Sequence, residues 1–81
     1  MPSKLKNISG KKVLKFFESH NFLFVNQHGG HMKIRRIFSG IKQNLVIPNH
    51  SVIKKGTLRE IFNQASKYIS EKELRNFFYT E

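Results

Sequence analysis

The sequence predicts a small α+β domain in which helices cover one face of a three-stranded antiparallel sheet. Three observations carry this. Apolar residues recur at helical spacing near both ends of the chain, as at Val13, Phe16, Phe17 and His20, and again at Leu58, Ile61, Phe62 and Ala65. Between them lie three short β-favouring runs, separated by the turn pairs Gly29-Gly30 and Ser39-Gly40. At 81 residues the chain holds one core and no second one, so a single domain over residues 1–81, one helix layer on one sheet, is expected.

Each element has its own signal. Ser9 is a good N-cap, and Gly10–His20 reads as an amphipathic helix with Lys11, Lys12 and Lys15 on its wet side. Asn21 reads as its left-handed stop. Phe22-Leu23-Phe24-Val25 is the first strand. The second runs from His31 to about Phe38. Leu45-Val46-Ile47 is the third, stopped by Pro48, which has no N–H for a central ladder. The second helix follows Gly56-Thr57. Ser70-Glu71-Lys72-Glu73 fits a capping box, and Leu74, Phe77 and Phe78 give a short third helix its apolar face. The order is α-β-β-β-α with a short extra C-terminal helix.

Composition narrows the function. Cysteine is absent, so disulfide scaffolds and thiolate metal sites are excluded, in keeping with a reducing cytoplasm. No apolar run approaches the roughly 20 residues of a membrane helix, and MPSKLKN lacks the apolar core of a secretory signal, so no membrane partner is expected. The net charge is +10 and is unevenly spread. Residues 1–55 hold eleven Lys/Arg and one acid, Glu18, whereas residues 56–81 balance four against four. Such asymmetry points to a polyanionic partner, of which nucleic acid is the commonest; an acidic protein fits equally.

The second strand concentrates the chemistry. Alternation puts His31, Lys33 and Arg35 on one face and Met32 and Ile34 on the other, against the helices. The alternation breaks at Arg36-Ile37. His28 and His31, with His20 and His50, could nominally supply metal nitrogens, but no Asp or Cys completes a set and nearby Lys and Arg oppose a divalent cation, so no metal is expected. His31 lies just beyond a glycine turn, where a bulky substrate can approach closely. It shares its face with two cations suited to phosphates. A neutral imidazole beside a 2′-hydroxyl and a scissile phosphate can act as general acid or base, which favours RNA over DNA. Lys33, then Arg35, supplies the phosphate charge.

In combination these pieces resemble the HicA family of toxin–antitoxin ribonucleases over about residues 8–70. Ser9-Gly10-Lys11 opens the first helix. Asn21-Phe22-Leu23-Phe24-Val25 followed by Gln27 is similar to the family's Gly-Phe-led first strand. Gly29-Gly30-His31 sits where the family usually has Gly-Ser-His, and Val46-Ile47-Pro48-Asn49-His50 looks like its third strand and following loop. Lys55-Gly56-Thr57-Leu58-Arg59, with Ile61 and Ala65, looks like the start of its second helix. Gly30 thus stands where serine is usual, and Asn21 where glycine is usual. The resemblance implies a double-stranded-RNA-binding-domain-like fold and a metal-independent, histidine-dependent mRNA endonuclease, cytoplasmic, without cofactor, and neutralised by a HicB-like antitoxin protein. It places the catalytic histidine on His31. His50 also matches a common family position and reads as a secondary candidate, for RNA contact or as proton partner. The RNA-binding set is then Lys33, Arg35, Gly29, Gly30, His28, Lys11, Lys12 and His50. The same residues also suit a non-catalytic basic RNA-binding module.

Overall fold

Ser9 caps the first helix as its residue type predicts: its hydroxyl accepts the Lys12 backbone N–H at 3.1 Å, and α1 runs Gly10–Glu18. Asn21 takes the left-handed conformation (φ 73°) that turns the chain out of the helix. In the computed structural model, which describes residues 4–80, the elements that follow are β2 (Leu23–His28), β3 (His31–Phe38), β4 (Ile41–Pro48), α2 (Lys55–Ala65) and α3 (Glu71–Phe78). Two-residue strands β1 (Lys4–Leu5) and β5 (Tyr79–Thr80) pair antiparallel, an element too short to leave a periodic signal in the sequence.

The main sheet is an antiparallel meander of order β2-β3-β4, with the helices on one face, the arrangement of a double-stranded-RNA-binding domain with an extra C-terminal helix. Met32 and Ile34 of β3 and Leu45 and Ile47 of β4 are buried against Val13 and Phe17 of α1 and Leu58, Ile61 and Ala65 of α2. Full burial of one such large side chain is worth about 1.5–3 kcal/mol. The short α3 closes the layer with aromatic packing: Phe77 stacks on Phe16 at 4.2 Å between centroids, and Phe78 meets Phe62 edge-on at 5.7 Å. Ser70 caps α3, accepting the Glu73 N–H at 3.3 Å.

Several details depart from the sequence expectation. α1 ends at Glu18 rather than His20, and α2 begins at Lys55, so Gly56 and Thr57 lie in its first turn rather than ahead of it. Phe22 lies outside the strand: it is fully buried in the turn, its N–H bonded to the Phe17 carbonyl at 3.1 Å. The strand begins at Leu23 instead and runs on to His28, with a register shift between Phe24 and Asn26. β4 is longer than Leu45–Ile47, because pairing with β3 continues unbroken to Phe38–Ile41. Ser39 (φ 51°) and Gly40 (φ 78°) both take positive φ, as a type I′ hairpin requires.

The apparent break at Arg36-Ile37 is no break in the pleat. Arg36 stays on the helix side, where its guanidinium donates to Gln43 Oε1 (2.7 Å) and to the His20 (3.1 Å) and Tyr68 (3.0 Å) carbonyls. Those carbonyls lie just past the C-terminal ends of α1 and α2, where a cation is favoured. The guanidinium also lies over the Phe22 and Phe38 rings, 5.0 and 4.9 Å from their centroids. Ile37 therefore falls on the open face and is 65% exposed.

Of the five glycines, Gly10 leaves the least room for a side chain. A Cβ there would stand 2.0 Å from the Pro48 carbonyl oxygen. Gly→Ala inside a helix normally stabilises by roughly 0.5–1 kcal/mol. Gly10→Ala is expected to reverse that sign and cost about 1–3 kcal/mol, as overpacking does. A thermal melt checks it: a loss of about 4 °C or more is expected, and a melting point at or above that of the wild type would refute the contact.

Candidate functional site

The hairpin between β2 and β3 presents the histidines. Gly29 adopts φ +56° and Gly30 does not take positive φ, the sign pattern of a type II′ turn. The Gln27 side-chain amide donates to the Gly29 carbonyl at 2.9 Å and braces the turn. His28 and His31 face each other directly across the hairpin, so both side chains lie on the open face of the sheet. His28 is thereby more than a turn-flanking residue: it is the cross-strand neighbour of His31.

The register fills in the rest of that face. Lys33 lies between Asn26 and Val46, and Arg35 between Leu23 and Asn44. Arg35 donates from Nε to Asn44 Oδ1 at 2.8 Å, which fixes its guanidinium on the face. The polar ladder of His31, Lys33 and Arg35 is thus present as the alternation predicts. Exposed Leu23, Val46 and Ile37 are interspersed with it.

Two depressions meet at His50. The first, of about 300 Å³, is lined by His31, Val46, Pro48, His50, Lys54 and Thr57. The second, of about 320 Å³, lies between the start of α1 and the loop after β4, with Ser9, Lys11, Asn49 and His50 on its walls. Three backbone hydrogen bonds seat this loop: Asn49 N–H to the Gly30 carbonyl (2.7 Å), Gly10 N–H to the His50 carbonyl (2.9 Å) and Ile53 N–H to the Ile8 carbonyl (2.9 Å). The fold therefore brings His31, His50 and Lys11 around one corner, with the glycine turn beside them. Lys12 is exposed on α1 and lines neither depression, and Lys33 and Arg35 lie farther along the sheet.

The sequence reading did not place Lys54 or Thr57 in the site. Lys54 is the N-cap residue of α2, and Thr57 sits in its first turn, so the pocket opens beside a helix N-terminus with a cation next to it. The signal available was the Lys54-Lys55 pair ahead of a helix start. Lys55 is turned back onto the fold instead, its ammonium donating to the Leu5 carbonyl. Among the described residues, no group of three or more His, Cys, Asp or Glu is placed to hold a metal ion, and no helix is long and apolar enough to cross a membrane.

The two turn glycines should differ in tolerance. Gly29→Ala forces a side chain into positive φ, at a cost of about 1–2 kcal/mol. Gly30→Ala meets nothing closer than His50 Nε2 at 3.9 Å and should be close to neutral. Denaturant midpoints of the two variants test this, and equal losses would contradict the turn geometry.

The open basic face, the histidine at the strand start and the loop that returns to it lie within the stretch matched by a family model, that of the HicA toxin of bacterial toxin–antitoxin systems, over residues 10–66. No curated protein and no solved structure matches the chain. The match spans more than half of the 81 residues, and the chain belongs to the HicA family of toxins.

Proposed function

We propose that this toxin is a metal-independent endoribonuclease that cleaves mRNA in the cytoplasm and that His31 is its catalytic proton-transfer residue. The observation that carries the reading is the position of His31: at the mouth of a pocket, at one end of a sheet face bearing Lys33 and Arg35. The two cations supply the sequence-independent phosphate attraction that RNA needs. The glycine turn leaves the approach to His31 open, and Lys11 and Lys12 extend the positive surface along α1. The 2′-hydroxyl is the internal nucleophile, so DNA is not a substrate. The chain has no Asp or Cys, and among the described residues its Glu and His side chains form no group of three placed to hold a metal ion, which supports histidine chemistry over metal-bound water.

As a member of this family the toxin has a cognate antitoxin. A HicB-type antitoxin that covers the open face would block His31 and neutralise the basic ladder together. Exposed Leu23 and Ile37, 72% and 65% accessible on that same face, offer the apolar area that a protein contact uses and RNA phosphates do not.

Three outcomes test the reading. His31→Ala should lose at least about 10²-fold in RNA cleavage, the low end for one acid–base group, and should no longer arrest growth when induced in a bacterial host. Cleavage by the wild type should persist in EDTA. Replacing Lys33 and Arg35 together by Gln should weaken RNA binding and reduce the salt slope of log K by up to about 2. RNA binding without cleavage products, or full activity of His31→Ala, would overturn the assignment in favour of a non-catalytic RNA-binding module or another site.

A further inference from the structure

We propose, resting on the ribonuclease reading above, that His50 is the second proton-transfer group of the reaction, acting across the pocket from His31. Transesterification by a 2′-hydroxyl needs two proton movements. One group takes the 2′-hydroxyl proton as the 2′ oxygen bonds to phosphorus. The bond from phosphorus to the 5′ oxygen then breaks, and a second group gives that departing oxygen a proton. The products are a 2′,3′-cyclic phosphate and a 5′-hydroxyl, and no further reactant is needed. His31 can perform only one of these roles within a single step.

The geometry points to His50 for the other. His31 and His50 line the same pocket of about 300 Å³, a size that accepts a phosphodiester with its ribose. The His50 imidazole stands beside the turn that delivers His31: a Cβ on Gly30 would lie 3.9 Å from His50 Nε2. The loop is held on both sides of its Asn49–His50 peptide, by the Asn49 N–H on the Gly30 carbonyl and by the Gly10 N–H on the His50 carbonyl. Such a seat is what a proton-transfer group needs, since small displacements cost large factors in rate.

The remaining charged and titratable neighbours do not serve as well. Lys54, at the start of α2, is a cation suited to the phosphate, and Thr57 offers a hydroxyl. Lys11 reaches His50 only from the adjoining groove on the α1 side. On the sheet, His28 faces His31 but lies outside the pocket, and Lys33 and Arg35 lie farther along the face. Histidine is the side chain suited to both halves of proton exchange near neutral pH.

The test uses the full chain and an RNA oligonucleotide whose cleavage site has been mapped with the wild type. Wild-type kcat/KM is expected to be bell-shaped in pH. His50→Ala and the polar variant His50→Gln should each lose at least about 10²-fold and one limb of that profile. Their melting points should stay near that of the wild type, and any loss of affinity for an oligonucleotide with a 2′-deoxy residue at the cleavage site should be small beside the loss in kcat. A bridging 5′-sulfur in place of the 5′ oxygen leaves without a proton, so that substrate should restore whichever of His31→Ala and His50→Ala lacks the acid, and leave the other inactive. His50 variants with an intact two-limbed profile, rescue of neither variant, or the lost limb appearing in His28→Ala instead would overturn the proposal. If the wild type cuts RNA and His31→Ala does not, while His50→Ala is normal, only the role of His50 fails. A wild type inert on RNA removes the ribonuclease reading itself.

Discussion

The molecule is organised around the place where the start of α1 meets the end of β4. Gly10 comes so close to the Pro48 carbonyl that no side chain fits between them, and its N–H binds the carbonyl of His50. This contact fixes the helix layer against the sheet at one corner. It also sets the path of the loop that carries His50 back towards the glycine turn, where Asn49 binds Gly30. Without it, nothing would hold His31 and His50, both exposed, about one pocket. A residue chosen for the absence of a side chain thus sits at the base of both the packing and the site.

The opposite corner is held by different physics. Arg36 stands on the core side of β3, where each of its three guanidinium nitrogens donates a hydrogen bond, to two carbonyls beyond helix ends and one side-chain amide, and the group lies over two aromatic faces. A cation so placed ties the C-terminal ends of α1 and α2 to the sheet while its charge is met by the carbonyl ends of both helices. One of the chain's many positive charges is therefore structural. Most of the remaining excess lies with α1, β3, β4 and the loop beyond β4, around the candidate site, with Lys4 and Lys6 at β1, while α3 is neutral and contributes aromatic packing. The family match ends at residue 66, just before α3, which suits a division between a functional core and a packing extension.

Much of the fold was legible in the residues. Helical spacing located α1 and α2, Ser70 with Glu73 located the start of α3, and the two turn pairs located both hairpins. Strand limits were less legible. Lys42, Gln43 and Asn44 look like loop residues, but Gln43 and Asn44 accept hydrogen bonds from Arg36 and Arg35 across the ladder, so their polarity is a property of the pairing. Phe22 looks like the first residue of a strand because it is apolar and aromatic; burial in a turn uses the same property.

What the sequence by itself determined is what depends on nearest neighbours and period: helix caps, turn chemistry, and the alternation that puts His31, Lys33 and Arg35 on one side of a strand. The glycine pair and the surplus of Lys and Arg pointed to the region proposed as the polyanion-binding face. Tertiary structure alone decided which distant residues meet. It set His50 and Lys54 beside His31, faced His28 to His31 through the hairpin register, and turned Arg36 inward to the helix ends. The reason is physical: local preferences act over a few residues, whereas a pocket is made by the close approach of segments about twenty residues apart, and that approach is fixed by packing contacts such as Gly10 on Pro48, which no local pattern records.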